Sequence, residues 1–109
     1  MKDVHTLEEL ETLKYEQDAL LVLYGGKECG VCHTIKPKLI ELVSEHYPKI
    51  QMVYIDCHAD TGICSQNSVF TLPVVQVFFG GQRFIEEVRS FSVQKLVDDI
   101  QRPYSMMFD

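Results

Sequence analysis

The chain has no tryptophan, and it is poor in residues that interrupt or loosen a backbone: 6 glycines and 4 prolines in 109 residues. With 46% apolar and 24% charged residues, that scarcity excludes a collagen-like, repeat or low-complexity chain. What remains is one globular domain over residues 1–109, large enough to bury a core without staples. Positive charge is also short, with 10 Lys and Arg against 16 Asp and Glu and a net charge of −6. Nucleic acid and anionic membranes are therefore not expected partners, because both are bound through basic surfaces. Long apolar runs are missing too. The run ALLVLY (19–24) is far too short to span a bilayer. The opening MKDVHTLEELETLKYEQ is too acidic and too polar for a secretory leader, so a cytoplasmic location is expected. Cysteine, by contrast, is well represented, with 4 residues. In a reducing compartment paired cysteines serve catalysis, redox sensing or metal binding more often than structure.

Thr6-Leu-Glu-Glu9 has the S/T-x-x-E form of a helix start, and Leu7, Leu10 and Leu13 continue it, so a helix is expected over 7–16. ALLVLY reads as a strand buried on both faces, ending at Gly25-Gly26. After a CGVC turn, Val31, Ile35, Leu39, Leu42 and Val43 step at helical spacing to about Glu45. IQMVYID (50–56) is a second buried strand, and 59–68 is weakly helical. VVQVFF (74–79), Gly80-Gly81 and QRFIEEV (82–88) predict a hairpin, since paired glycines accept the positive φ of a tight turn. Val93, Leu96, Val97 and Ile100 predict a last helix that starts near Ser92 and stops before Pro103. A short strand fits at 2–4. Strands alternating with helices and closing on a hairpin imply an α/β fold, a central mixed sheet with helices on both faces.

The stretch KECGVCHTIKP (27–37) therefore sits where a buried strand hands over to a helix. Free amides and the positive dipole end at a helix start favour an anion, and the thiolate is the reactive form of cysteine. Cys29, at the start, is the expected nucleophile, and Cys32, one turn inside, the expected resolving thiol. Lys27 favours the thiolate and Glu28 opposes it. Other readings compete. C-x-x-C-H matches covalent haem attachment, but that requires export and an axial-ligand pocket, and His33 reads more simply as a polar residue on the exposed side of the helix. A zinc site using all four cysteines has poor spacing, since zinc ribbons prefer two CxxC knuckles. The rival of another class is a non-catalytic adaptor that keeps the fold and has lost the use of its dithiol.

CGVC after a buried strand, Pro37 five residues past the second cysteine, and TLPVVQVFFGGQRF downstream resemble the thioredoxin family over nearly the whole chain. The resemblance implies a thiol–disulfide oxidoreductase that works by reversible exchange through a mixed disulfide with a protein substrate. It implies that Pro73 follows a cis peptide bond beside the dithiol, and that the backbone of Leu72 pairs with the substrate's extended chain. No bound cofactor is needed, and reducing equivalents come from a thioredoxin reductase or a small thiol. The departures are several. Family members carry Trp before the first cysteine, where this chain has Glu28, and Gly-Pro between the cysteines, where it has Gly30-Val31. Leu23 stands in the place of a buried Asp, Met52 in that of its partner Lys, and Ser90 in that of a glycine. Loss of the Asp should slow exchange or pass its proton to Glu28, His33 or water. A specialised relative is expected rather than a housekeeping thioredoxin.

Cys57 and Cys64 form a C-x6-C pair. Read from the residues, they are small buried side chains at a strand end and on a helix. Some animal thioredoxins have a pair at this spacing in the corresponding place, and that similarity implies regulatory thiols. Cysteines seven apart in an intact helix cannot bridge, so a bond requires Cys57 to lie outside the helix or the segment to unwind. The tail PYSMMFD (103–109) is expected to fold back onto a monomer, with a dimer through this tail as the alternative.

Overall fold

A computed structural model describes residues 1–109. The elements run β1 (Lys2–Asp3), α1 (Leu7–Glu16), β2 (Ala19–Gly25), α2 (Gly30–His46), β3 (Gln51–Asp56), α3 (Thr61–Gln66), β4 (Val74–Phe79), β5 (Gln82–Val88) and α4 (Val93–Phe108). One five-stranded sheet has the order β1-β3-β2-β4-β5. Its β1/β3 and β3/β2 pairs are parallel, and β2/β4 and β4/β5 are antiparallel. β2 is central and every one of its residues is buried, as its unbroken apolar run requires.

The sheet separates two cores. On one face Leu21, Leu23, Met52, Val75 and Val77 pack against Ile35, Leu39 and Val43 of α2 and Leu96, Val97 and Ile100 of α4. On the other, Leu20, Val22, Tyr24 and Val53 pack against Leu10 of α1 and Ile63 and Cys64 of α3. Successive strand residues alternate between these cores, which is the period-two rule of a pleated strand. Gly80 and Gly81 take φ of 60° and 81° in the hairpin turn. Phe84 bulges out of β5, since Ile85 pairs with Val77 while Arg83 pairs with Phe78. A bulge with charged neighbours on an edge strand hinders pairing with another sheet.

Thr6 caps α1 by accepting the Glu9 amide at 3.1 Å, and the Glu9 carboxylate accepts the His5 amide. Two expectations need correction. The weak helix of 59–68 contracts to Thr61–Gln66. The last helix does not stop before Pro103 but runs through it to Phe108. Tyr104 and Phe108 continue the four-residue step from Leu96 and Ile100, and both pack on the α2/α4 core. The Tyr104 ring lies 4.9 Å from Tyr47 and 4.7 Å from Phe108. A proline inside a helix costs about 3 kcal/mol, of the same order as fully burying one large side chain, so the partial burial of two aromatic side chains offsets it. The tail does return to the domain, as helix.

Candidate active site

The carboxyl ends of β2 and β3 deliver two loops to one end of the sheet. β2 ends at Gly25, and a turn in which the Cys29 amide donates to the Gly26 carbonyl at 3.1 Å leads into α2. Cys29 is the N-cap of that 17-residue helix, and its sulfur accepts the Cys32 amide at 3.2 Å. Cys29 is half-buried and Cys32 is buried. The two are joined in a disulfide with Cα atoms 5.3 Å apart. The helix therefore holds the outer sulfur where an amide and the dipole favour negative charge, and shields the inner one. Helix α2 has no acidic residue in its first turn, and Pro37 lies inside it. His33 is exposed, and its Nε2 lies 2.8 Å from the Lys27 carbonyl, which ties the loop to the helix.

β4 begins directly after Pro73, and the pairing of Tyr24 with Val74 brings that loop to the same end as the dithiol. The Leu72–Pro73 bond is cis, Pro73 is buried and Leu72 is half-buried. The Pro73 carbonyl accepts the Arg89 amide at 2.7 Å, whereas the amide and carbonyl of Leu72 make no backbone hydrogen bond. Two large apolar side chains stand in the open at this end, Val31 between the cysteines at 51% exposure and Phe70 at 79%. Phe70 was missed in the sequence; its signal was an aromatic residue in a loop that has no helical or strand period.

Leu23 is fully buried in the α2/α4-side core together with Met52. The two positions where the resemblance implies a carboxylate and an ammonium thus lie in one apolar cluster.

Cys57 and Cys64 are also disulfide-bonded, with Cα atoms 5.7 Å apart. The geometry follows the first of the two routes: Cys57 lies in a turn after β3, outside α3, which begins at Thr61. Cys57 is half-buried and Cys64 buried. The Cys57 amide donates to the Gly25 carbonyl at 2.7 Å, and the His58 ring fills the space a side chain on Gly26 would need. The Asp56 carboxylate accepts the His58 and Ala59 amides at 2.9 and 3.2 Å, holding the turn. A cleft of about 280 Å³ opens beside this bond, lined by Cys57, Cys64, Val69, Phe70 and Leu72. The second pair therefore adjoins both the loop before Cys29 and the loop before Pro73.

A buried-sulfur CxxC at a helix start, a cis-proline loop beside it and a mixed five-stranded sheet together define one class of fold. The thioredoxin sequence profile matches residues 4–102, and this chain belongs to the thioredoxin family. The thioredoxin-like protein YdfQ of Bacillus subtilis (strain 168) is 26% identical over 106 residues, covering 97% of this chain and 94% of that protein. NADPH-dependent thioredoxin reductase 3 of Arabidopsis thaliana is 32% identical over 76 residues, 70% of this chain but only 14% of that protein. The crystal structure of thioredoxin from Trypanosoma brucei brucei superposes with a TM-score of 0.82 at 19% identity, covering 94% of this chain and 89% of that one. A family CxxC pair at bonding distance gives the chain a thiol–disulfide redox function. No helix is long and apolar enough to cross a membrane.

Proposed function

We propose that this chain is a thiol–disulfide oxidoreductase acting on protein disulfides, with Cys29 attacking and Cys32 resolving. The observation that carries the reading is the placement of Cys29, half-exposed at a helix N-cap with the Cys32 amide on its sulfur. In the reduced protein the Cys29 thiolate attacks one sulfur of a substrate disulfide, forming a mixed disulfide and releasing the other substrate sulfur as a thiolate that takes up a proton. Cys32 then loses its proton and attacks Cys29, closing the intramolecular bond and releasing the second substrate thiol. The unpaired backbone of Leu72, fixed by Pro73, supports pairing with an extended substrate strand, and exposed Val31 and Phe70 supply apolar contact. No bound cofactor takes part. A reductase or small thiol returns the electrons, and the match to a thioredoxin reductase's own sequence supports the first source. The core packing of Tyr104 and Phe108 supports a monomeric domain, and the need for a reducing supply supports a cytoplasmic setting.

The test is a redox titration: equilibrate in graded dithiol buffers, alkylate, and count free thiols by mass, alongside turnover of a protein disulfide. A midpoint for Cys29 and Cys32 near thioredoxin's, about −270 mV, makes the protein a reductant; a markedly higher one makes it an oxidant or isomerase. A pair that closes but turns over no substrate leaves the adaptor reading, which Leu23 in place of a buried carboxylate favours.

The contacts of Cys57 with Gly25 and of His58 with Gly26 support a regulatory role for the second pair. Opening the Cys57–Cys64 bond frees the turn that braces the two residues leading to the dithiol loop, so exchange at Cys29 slows. Turnover measured with this bond intact and selectively reduced tests it; equal rates reject it.

A further inference from the structure

The proton task vacated by the carboxylate was passed, on sequence grounds, to Glu28, His33 or water. Glu28 and His33 are both exposed, and His33 is committed to the Lys27 carbonyl. A different polar group stands beside Cys32. A side-chain carbon built on Gly25 would lie 2.8 Å from the Tyr54 hydroxyl and 3.2 Å from the Cys32 Cβ, so phenol and resolving cysteine border the same small space at the end of β2. Tyr54 reaches it because it pairs with Leu23 in the parallel β2/β3 register and packs on the core that α2 covers. Lys36, one turn beyond Cys32 on α2, sets its ammonium 4.0 Å over the Tyr54 ring. The buried hydroxyls of Tyr24 and Tyr47 donate to Gln76 and to the Val97 carbonyl. That of Tyr54 has no partner among the side-chain hydrogen bonds.

We propose that the Tyr54 hydroxyl donates a hydrogen bond to the Cys32 sulfur when that sulfur is a thiolate, doing by donation what a buried carboxylate does by taking a proton. The inference rests on the exchange chemistry assigned to Cys29 and Cys32. In the resolving step the Cys32 S–H bond breaks and its proton passes to solvent. The Cys32–Cys29 bond then forms as the Cys29–substrate bond breaks, and the substrate sulfur leaves with the bonding pair. In the reverse direction Cys32 is itself the leaving thiolate. Either way negative charge sits on Cys32 as bonds change, and a fixed donor stabilises it. Burial raises the phenol's pKa, with Asp56 and Asp3 adding to the effect, so Tyr54 keeps its proton while thiols titrate. Of the charges around the phenol, Lys36 from α2 favours a Cys32 thiolate, and Asp3 from β1 and Asp56 from β3 oppose it.

The experiment isolates each sulfur. In a Cys29→Ser background, Cys32 is titrated by its thiolate ultraviolet absorbance with and without Tyr54→Phe, and Cys29 is titrated likewise in a Cys32→Ser background. Tyr54→Phe keeps the ring and its contact with Lys36. The expected result is about tenfold less Cys32 thiolate at neutral pH, a shift of about one pKa unit, with Cys29 unmoved. An unmoved Cys32, or equal shifts at both sulfurs as a general structural change would give, overturns the proposal. Should Tyr54→Phe not fold by circular dichroism, 3-fluorotyrosine at position 54 keeps the hydroxyl and every charge but makes the phenol a stronger donor, and must lower the Cys32 pKa with Cys29 unmoved; no drop overturns it. No substrate enters these titrations, so failure of the oxidoreductase reading appears separately, in turnover by the unsubstituted chain.

Discussion

The molecule carries two disulfides at one end of its sheet, each with one half-buried and one buried sulfur. They differ in what surrounds the outer sulfur. Cys29 caps a 17-residue helix whose first turn has no carboxylate, and an amide already points at its sulfur. Cys57 sits between Asp56 and Asp60, before a 6-residue helix whose cap makes no side-chain hydrogen bond. The first setting favours a thiolate; the second opposes one and offers little dipole to compensate. Both outer cysteines directly follow a carboxylate, Glu28 or Asp56, so thiol pairs alike in burial are set apart by the length of the following helix and by the amide aimed at the sulfur.

The largest expected effect would break the comparison outright. Cys29→Ser should lower turnover of a protein disulfide by about 10³-fold, since nothing else at the site is an equivalent nucleophile, whereas Cys57→Ser with Cys64→Ser should lower it only a few-fold. Steady-state rates of the two variants decide; equal losses would make the pairs equivalent. Next is the floor beneath the first pair. Leu23→Asp places a carboxylate in a fully buried apolar site and should cost about 3–5 kcal/mol in denaturant unfolding, with Met52→Lys in the same chain restoring part of it. If Leu23→Asp is neutral, that floor is wetter than its packing shows.

A smaller effect sharpens the contrast in reactivity. In the reduced protein, Cys29 should alkylate about tenfold faster than Cys57 at neutral pH, measured by quenched labelling and peptide mass. The smallest concerns the anchor of the second pair. The His5 Nδ1 lies 3.1 Å from the Asp60 carboxylate, and that hydrogen bond raises the His5 pKa. Its contribution to stability is fully present below the ordinary histidine value of 6.5 and is lost as pH rises through the higher folded value. Hydrogen exchange around Ile63 and Cys64 should therefore quicken slightly above that window, and His5→Gln should abolish the change. Because His5 is exposed, the effect is small and fades in salt.

Much of this was legible in the residues. The β2 run, the CGVC turn and the Gly80-Gly81 hairpin were readable because burial on both faces, helix-start chemistry and positive φ leave local signatures. Pro103 misled because its local penalty is visible in sequence, while the packing of Tyr104 and Phe108 that offsets it depends on α2 being across the way. Tyr54 gave no signal, since one residue in an apolar strand says nothing of a cysteine more than twenty positions earlier.

By itself, then, the sequence determined the order of elements, the sheet's alternation and the helix-start dithiol, because periodicity, turn preference and dipole act over a few residues. Only the tertiary structure decided that Cys57 leaves α3 and reaches Cys64, that α4 passes its proline, and that a phenol rather than a carboxylate borders Cys32. Those outcomes depend on distances between segments remote in the chain, set by the register of β2 on β3 and by which face α2 covers.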